Sequence, residues 1–423
     1  MKRGLPFIVF VAGAALASRT EAHAPEAAPS RDLTTAARAI NALGLDLLRH
    51  GIRASSNAVI SPYSIQNASA MVYAGAAGKT HDEMALALHY PDDEARLHGA
   101  FAALTRALER LTLKTSGRVP QGANGRGRAD PITIAIANRL FAQKDFGFRA
   151  PFLALLKDTY RSPLALVDFA GNPTVAIRRI NDWVAEQTRE RIRDLIPPDS
   201  LGSDTRLVLV NAIHLNAPWE RAFYRGGTSL LPFAVNGGEP VDVPTMQVQS
   251  NLGYQSHKTF TTVVIPYSHR DLQFLVLLPD NGVSLDRLEA QLTPDQLSSL
   301  ARSPAISVFL YLPKFKIEPP TKELSRVLAQ LGMKSAFQPA AADFRRMTAE
   351  DHAYVSGVFH RASLAIDENG TEATAATAYS VRAAASIEPP APKELHVDRP
   401  FLFAIQHRPS GACLFLGRVM DPR

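Results

Sequence analysis

Cysteine is almost absent from this 423-residue chain, which contains only Cys413. A single cysteine excludes an internal disulfide framework and a thiolate metal cluster, so stability must come from a packed core. Cys413 lies in the apolar run GACLFLGRV, where we expect a small buried core residue. The twelve histidines show no metal-ligand spacing, and we expect no metal site.

The chain also lacks the short motifs that carry enzyme chemistry. It has no G-x-S-x-G turn, no H-E-x-x-H pair, no P-loop and no G-x-G-x-x-G phosphate loop. These absences predict a protein that is not an enzyme and uses no cofactor. The scattered Ser, His and Asp residues leave a dispersed hydrolase triad open as an alternative.

Long apolar runs and a strong charge excess are missing too. The net charge of +6 is spread along the chain, so we expect neither nucleic-acid nor membrane partners. The N terminus, MKRGLPFIVFVAGAALASRTEA, has a basic start, a short apolar run and small residues. This pattern predicts a signal peptide over residues 1–22, cleaved after Ala17 or Ala22, and a flexible tail over 23–32. We therefore expect a secreted protein, extracellular or periplasmic.

Two N-glycosylation sequons begin at Asn67 and Asn369. The first falls in a predicted helix and the second at the start of a small-residue stretch, and a glycan would be awkward at both. Arginine outnumbers lysine and alanine is abundant. We therefore expect a bacterial protein that is exported without this modification.

Helical and strand patterns alternate irregularly along the rest of the chain. Residues 33–50, 93–112 and 177–192 have helical apolar spacing, and Ser61-Pro62 resembles a capped helix start. Apolar runs predict buried strands at 132–141, 206–215, 272–279, 306–317 and 413–419. Without a steady βαβ alternation, this pattern predicts an α+β fold in a single domain over residues 33–423.

A basic, Gly-rich loop is predicted at residues 114–131, KTSGRVPQGANGRGRADP. It has no apolar periodicity and no aromatic residue, so an inert insertion is the first interpretation. Contact with a polyanion is the alternative, through Lys114, Arg118, Arg126 and Arg128.

The stretch ENGTEATAATAYSVRAAAS, residues 368–386, lacks proline, bulk and an apolar helical stripe. Alternate residues of a strand face opposite sides. The set that includes Thr371, Ala373, Ala375 and Thr377 is uncharged, whereas the other set contains Glu372 and Arg382. The segment therefore has the pattern of a half-buried strand.

Several motifs in order resemble those of the serpins, the serine protease inhibitor family. They are NAVISPYSI (57–65), VNAIHLNAPWERAF (210–223), VPTMQ (243–247), LYLPKFKIE (310–318), LAQLGMKSAF (328–337), VSGVFHRASLAIDENGTEATAATA (355–378) and DRPFLFAIQHRPSGACLFLGRVMDP (398–422). The resemblance covers nearly all of residues 33–422. One departure is Asn216-Ala217, where the family usually has Lys and Gly.

The resemblance implies three β-sheets, about nine helices and an exposed reactive loop, here residues 368–394. It also implies a stoichiometric trap: a protease cleaves the loop, which then inserts into the main sheet, a behaviour for which serpins are the standard example. The partner would be a serine protease held as a covalent acyl-enzyme, and we expect a monomer. A carrier or chaperone that does not inhibit is the alternative, although the small, uncharged hinge favours inhibition.

The resemblance also assigns roles to single residues. The hinge of the loop would consist of Glu368, Gly370, Thr371, Ala373, Ala375, Ala376 and Thr377. Gly370 would supply a flexible pivot. A shutter that holds the sheet closed would consist of Ser61, Ser64, Asn211 and His360. Hydroxyl, amide and imidazole groups can form such a network and exchange partners within it.

Family spacing from Glu368 places the reactive bond between Ala384 and Ala385. Alanine suits a shallow primary pocket, so the expected target is elastase-like or subtilisin-like. The alternative bond, between Arg382 and Ala383, would suit a trypsin-like enzyme. A papain-like cysteine protease is a further alternative target.

Overall fold

The computed structural model describes residues 31–52, 55–117, 131–235, 238–372 and 391–423. The predicted signal peptide, residues 118–130 of the basic loop and both candidate reactive bonds lie outside these ranges. No helix within them is long and apolar enough to cross a bilayer. The described α-helices are α1 (Arg31–Gly51), α2 (Pro62–Tyr73), α3 (Gly78–Ala87), α4 (Glu94–Gly117), α5 (Ala150–Asp158), α6 (Pro173–Gln187), α7 (Leu285–Gln291), α8 (Pro294–Ser299) and α9 (Ser325–Gln330).

Seventeen strands accompany these nine helices in the described part of the chain. They are β1 (Ala58–Ile60), β2 (Thr133–Gln143), β3 (Ala165–Val167), β4 (Leu207–Pro218), β5 (Ser229–Ala234), β6 (Pro240–Ser256), β7 (Phe260–Pro266), β8 (Leu272–Pro279), β9 (Ala305–Pro313), β10 (Phe315–Ile317), β11 (Lys322–Glu323), β12 (Val355–Ala362), β13 (Leu364–Ile366), β14 (Gly370–Thr371), β15 (Lys393–His396), β16 (Phe401–His407) and β17 (Ala412–Val419). The predicted α+β class is confirmed.

The strands form two hydrogen-bonded sheets. The nine-stranded sheet has the order β1-β17-β16-β8-β7-β6-β9-β15, and β5 also pairs with β6. Its two parts meet at Gly253, where β6 passes from pairing with β9 to pairing with β7. The eight-stranded sheet has the order β10-β13-β14-β4-β12-β11, with β2 on the other side of β4 and β3 beside β2. If the two parts of the nine-stranded sheet are counted separately, the structure has the three sheets that the resemblance implies.

Strand β4 is the centre of the eight-stranded sheet. Every residue of β4 except Asn216 is buried. Val208 and Val210 pack in a core shared with α6, whereas Leu207 and Leu209 belong to the larger core on the other face. The apolar run of the sequence thus reflects a strand that is covered on both faces.

Three predicted boundaries change in the structure. Helix α4 continues to Gly117, so Lys114 lies in a helix and the basic loop begins later than predicted; no Gly or Pro interrupts the helix after Gly99. Helix α6 ends at Gln187 and not at 192. The chain turns there because the Thr188 hydroxyl oxygen accepts a hydrogen bond from the Ile192 amide. The predicted strand 306–317 is interrupted at position 314 between β9 and β10.

Candidate functional site

The candidate site lies where the predicted hinge meets the eight-stranded sheet. Strands β4 and β12 pair in parallel from Leu207 and Val355 to Ile213 and Ala362. Beyond that end, β14 pairs antiparallel with β4 on one side and with β13 on the other. The two long strands therefore separate, and the first residues of the predicted reactive loop fill the gap between them.

The beginning of the loop is buried, in contrast to the exposure expected for it from the sequence. Glu368 and Asn369 are buried, and Thr371 is fully buried. The physical reason is the backbone of β4, whose polar groups beyond Ile213 need partners that β12 does not provide. Gly370 and Thr371 pair with Pro218 and Ala217 at the far end of this stretch.

Glycine is required at position 370. Its φ of +155° lies in a region that side-chain-bearing residues rarely adopt, and a Cβ atom there would lie 2.1 Å from the carbonyl oxygen of Ala217. The hinge glycine predicted from the sequence therefore serves a close approach of two backbones as well as a change of direction.

Thr371 contacts Tyr267, whose ring is stacked on that of Trp219. The Tyr267 and Thr371 hydroxyl oxygens are 2.6 Å apart, and both residues are buried. The Trp219 ring stacks on Tyr267 with centroids 4.6 Å apart, and the Trp219 Nε1–H group donates to the Asp367 carbonyl at 2.9 Å. These contacts bind both sides of the turn that leads into β14.

Glu368 and Asn369 are held by side chains of other elements. The Thr228 hydroxyl donates to Glu368 Oε1 at 2.6 Å, and Lys314 Nζ lies 3.0 Å from Glu368 Oε2. Burial favours the neutral acid, but the Thr228 hydrogen bond and Lys314 together keep the Glu368 pKa below its ordinary value. Arg225 donates to Asn369 Oδ1 at 2.8 Å. Glu368, the first residue of the hinge, is thus an ionised carboxylate that is paired with Thr228 and Lys314.

Asn216, which departs from the family pattern, also contacts the hinge. Asn216 Nδ2 donates to the Glu372 carbonyl at 3.2 Å, and Ala217 is the Cα partner of Thr371 in the sheet register. Asparagine at 216 therefore supplies a hinge hydrogen bond directly from β4.

The four predicted shutter residues lie together in one hydrogen-bonded network. Asn211 and His360 are Cα partners on β4 and β12, and His360 Nδ1 hydrogen-bonds Asn211 Oδ1. The Ser61 amide donates to His360 Nε2 at 3.1 Å, and the Ser64 amide donates to Ser61 Oγ at 3.1 Å. The network joins the start of α2 to both strands, while its role as a shutter stays a prediction.

Asn138 is a fifth member of this network that the sequence reading missed. The Ser64 hydroxyl donates to Asn138 Oδ1 at 2.6 Å, and Asn138 is the Cα partner of Asn211 across β2 and β4. The available signal was a polar residue within the apolar run ITIAIANRLF. Tyr267 was missed as well, because only the folded chain brings it to Thr371.

The imidazole of His360 is neutral. Its Nε2 accepts from Ser61, so its Nδ1 carries the proton that is donated to Asn211. Complete burial lowers the His360 pKa to about 3, and the nearby Lys322 charge acts in the same direction. Both ring nitrogens have partners, so the neutral ring itself has no unsatisfied polar atom.

Other predicted site residues lie outside the described residues. These are Ala373, Ala375, Ala376, Thr377, Arg382, Ala383, Ala384 and Ala385 of the loop, and Arg118, Arg126 and Arg128 of the basic segment. In the part of the chain that the structure describes, no group of His, Cys, Asp and Glu residues is placed to hold a metal ion.

Comparison with known proteins identifies the architecture. Residues 38–422 match the family model described as serpin (serine protease inhibitor). The chain is 34% identical to an uncharacterized serpin-like protein of Thermococcus kodakarensis, over 91% of this chain and 85% of the relative. It is 35% identical to the leukocyte elastase inhibitor of Bos taurus, over 87% of this chain and 94% of the relative.

Solved structures give the same result. The crystal structure of Manduca sexta serine protease inhibitor (serpin)-12 superposes with a TM-score of 0.76 and 26% identity, covering 91% of this chain and 98% of that one. The fold is of the class in which two residues of a predicted loop pair between β4 and β13 of the eight-stranded sheet. This chain belongs to the serpin family.

The buried neutral His360 predicts a pH dependence of stability. The His360 pKa of about 3 in the folded chain lies below the ordinary value of 6.5. The stability that the neutral ring contributes is therefore complete above pH 6.5 and is lost as the pH falls toward 3. In that window one proton changes the free energy of unfolding by up to about 1.4 kcal/mol per pH unit. We expect His360→Gln, which cannot titrate, to lower stability at neutral pH and to flatten this slope.

Urea unfolding midpoints between about pH 7 and pH 5 measure the effect. His50→Gln, at an exposed histidine near the end of α1, serves as the matched control and should retain the wild-type slope. Equal slopes for the wild type and His360→Gln would contradict the prediction.

Proposed function

We propose that this serpin is a suicide-substrate inhibitor of serine proteases, which traps the acyl-enzyme by inserting its cleaved loop into the eight-stranded sheet. The observation that carries the proposal is the position of β14. Gly370 and Thr371 already pair with β4, so an inserting loop would continue from two paired residues at the end where β4 and β12 separate. Further insertion extends a ladder that exists in the uncut chain.

The register supports a complete insertion. Thr371 is the partner of Ala217 on one side and of Ile366 on the other. Continuing both registers by six residues places Thr377 between Asn211 and His360, which are partners of each other in the uncut chain. An inserted strand therefore has to replace the Asn211–His360 hydrogen bond, and we propose this exchange as the work of the shutter.

The side-chain pattern of the loop fits the same path. Thr371 is fully buried, so the uncharged set that contains it is the one that would face the larger core. Glu372 points to the other face, on the side of His214. The charges of the loop thus stay on the face where polar partners are available.

The chemistry of the trap belongs to the protease. Its serine oxygen attacks the carbonyl carbon of Ala384, an ester forms, and the peptide nitrogen of Ala385 leaves with a proton. Insertion then pulls the ester away from the oxyanion hole of the protease. Loss of a single oxyanion donor slows such chemistry by about 10²–10³, so deacylation stalls. The inhibitor is consumed once for each protease.

We propose an elastase-like or subtilisin-like target for the small residue Ala384. The identity to a leukocyte elastase inhibitor supports this class, although that name belongs to the relative. We further propose that the protein is an exported bacterial monomer. Its N-terminal pattern supports export, and its excess of arginine over lysine with abundant alanine supports a bacterial source. Incubation with a panel of purified serine and cysteine proteases tests the function. An inhibitor gives a band at the summed mass on a denaturing gel, whereas a carrier or chaperone gives none.

Thr371→Arg should convert the inhibitor into a substrate. Thr371 is fully buried beside Tyr267, and an unpaired guanidinium there is costly to bury. We expect cleavage to continue while the yield of covalent complex falls at least about tenfold, in line with a cost above 1.4 kcal/mol on the insertion path. Thr374→Arg is the matched control, since it belongs to the opposite set and should keep most of the complex. An undiminished complex in Thr371→Arg would refute insertion along this register.

Cleavage of the loop should raise thermal stability. Among the described residues, two loop residues pair in the gap between β4 and β13, and the cut loop can supply the rest of a strand. Melting curves before and after nicking with a non-target protease measure the change. The same comparison with Thr371→Arg should show a smaller rise. Equal or lower stability of the nicked wild type would indicate a serpin that does not insert.

The peptide released on complex formation should begin at Ala385. Mass spectrometry of that peptide checks the reactive bond directly. A new N terminus at Ala383 would instead identify Arg382 as the primary residue and a trypsin-like enzyme as the target. Ala384→Arg should shift inhibition toward trypsin-like enzymes if the bond is assigned correctly.

A further inference from the structure

A buried imidazole and a carboxyl group meet beside the inserted hinge. His214 Nδ1 lies 3.3 Å from Glu372 Oε2, and the side chains are only 4% and 14% exposed. Among the described residues, this buried Nδ1 atom has no hydrogen-bond partner, and the Glu372 carboxyl is the group that faces it. A proton shared between these two atoms would satisfy both of them.

The fold brings the two groups to one face of the sheet. His214 follows Val208, Val210 and Ala212 along β4, all of which pack in the core shared with α6. Helix α6 ends at Gln187, so His214 lies beyond its cover, near the turn that follows. Glu372 comes directly after β14 and reaches the same face, opposite to that of Thr371.

The surrounding charges come from every element packed against the pair. Arg191, in the turn after α6, lies 3.9 Å from Glu372 Oε2, and Arg189 of the same turn acts on His214. Lys316 of β10 and Glu318 act on Glu372 with opposite signs. Burial outweighs these charges and raises the Glu372 pKa to about 7. Burial, and then the two arginines, lower the His214 pKa to about 4.

We propose that His214 and Glu372 form a proton-dependent latch, which holds the hinge in the sheet in mild acid and loosens it above neutral pH. The protonated carboxyl donates to the neutral imidazole, so the docked hinge buries no charge at this point. This inference rests on the proposed function and adds a regulation to the same hinge. The latch sets how often insertion starts from a docked hinge.

The sign follows from linkage. The Glu372 pKa is about 7 in the docked hinge and near its ordinary value of 4.5 when the hinge is free. Docking therefore takes up a proton, and the stabilisation is complete below pH 4.5 and lost as the pH rises through 7. His214, with its pKa near 4, stays neutral over most of this window. Docking is thus favoured near pH 5.5 and weakened at pH 8.

Hydrogen exchange of the uncut chain tests the latch. The Glu372 amide donates to the Ala365 carbonyl at 3.1 Å, so a peptide covering residues 364–372 reports hinge opening. After correction for intrinsic exchange, we expect opening about tenfold more often at pH 8 than at pH 5.5. Glu372→Gln, a neutral isostere, should stay protected at both pH values.

Asp46→Asn is the matched control, because it removes a His89–Asp46 contact of 2.6 Å far from the hinge. It should keep the wild-type pH dependence. Equal protection of the wild type at both pH values would overturn the latch. So would a Glu372→Gln variant that loses protection at pH 8, or an Asp46→Asn control that loses the pH dependence. The experiment needs no protease, so a pH-dependent hinge without covalent complex supports the latch and refutes only the inhibitory function.

Discussion

The parallel pairing of β4 with β12 is the interaction on which the rest of this structure depends. It closes the centre of the eight-stranded sheet from Leu207 and Val355 to Ile213 and Ala362 and leaves the sheet open beyond that point. The hinge occupies the open end, and the shutter network lies within the closed part. Both groups of residues therefore act on one pair of strands, from different positions along it.

Insertion of a strand would exchange one ladder between β4 and β12 for two ladders, so the net gain is one strand of hydrogen bonds. A dozen such bonds at about 0.5–1.5 kcal/mol each give on the order of 10 kcal/mol. Ordering the same residues costs about 1–2 kcal/mol each, so hydrogen bonding alone roughly breaks even. The proposed function therefore requires apolar burial, and the set of loop residues on the Thr371 face includes Tyr379 and Val381.

Much of the fold and part of the site could be predicted from the sequence. The apolar runs predicted the central strands, and the motifs singled out Gly370 and the four residues that the structure joins in one hydrogen-bonded network. The role of that network as a shutter stays a prediction. Asn138 and Tyr267 were not singled out, because only long-range backbone pairing fixes the position of each residue beside the site. The burial of Thr371 was also missed, since the pattern of a strand does not reveal whether a segment is already inserted.

His360 and His214 show why burial alone does not make a switch. Both are nearly inaccessible to solvent on neighbouring strands of one sheet, and burial lowers the pKa of both. His360 has a partner on each ring nitrogen within the folded sheet, so it is held in one neutral tautomer. Among the described residues, His214 Nδ1 has no such partner and faces Glu372 Oε2 at 3.3 Å, on the segment that would move. Protonation of the His214–Glu372 pair is therefore coupled to the position of the hinge, whereas protonation of His360 would destabilise the pairing of β4 with β12.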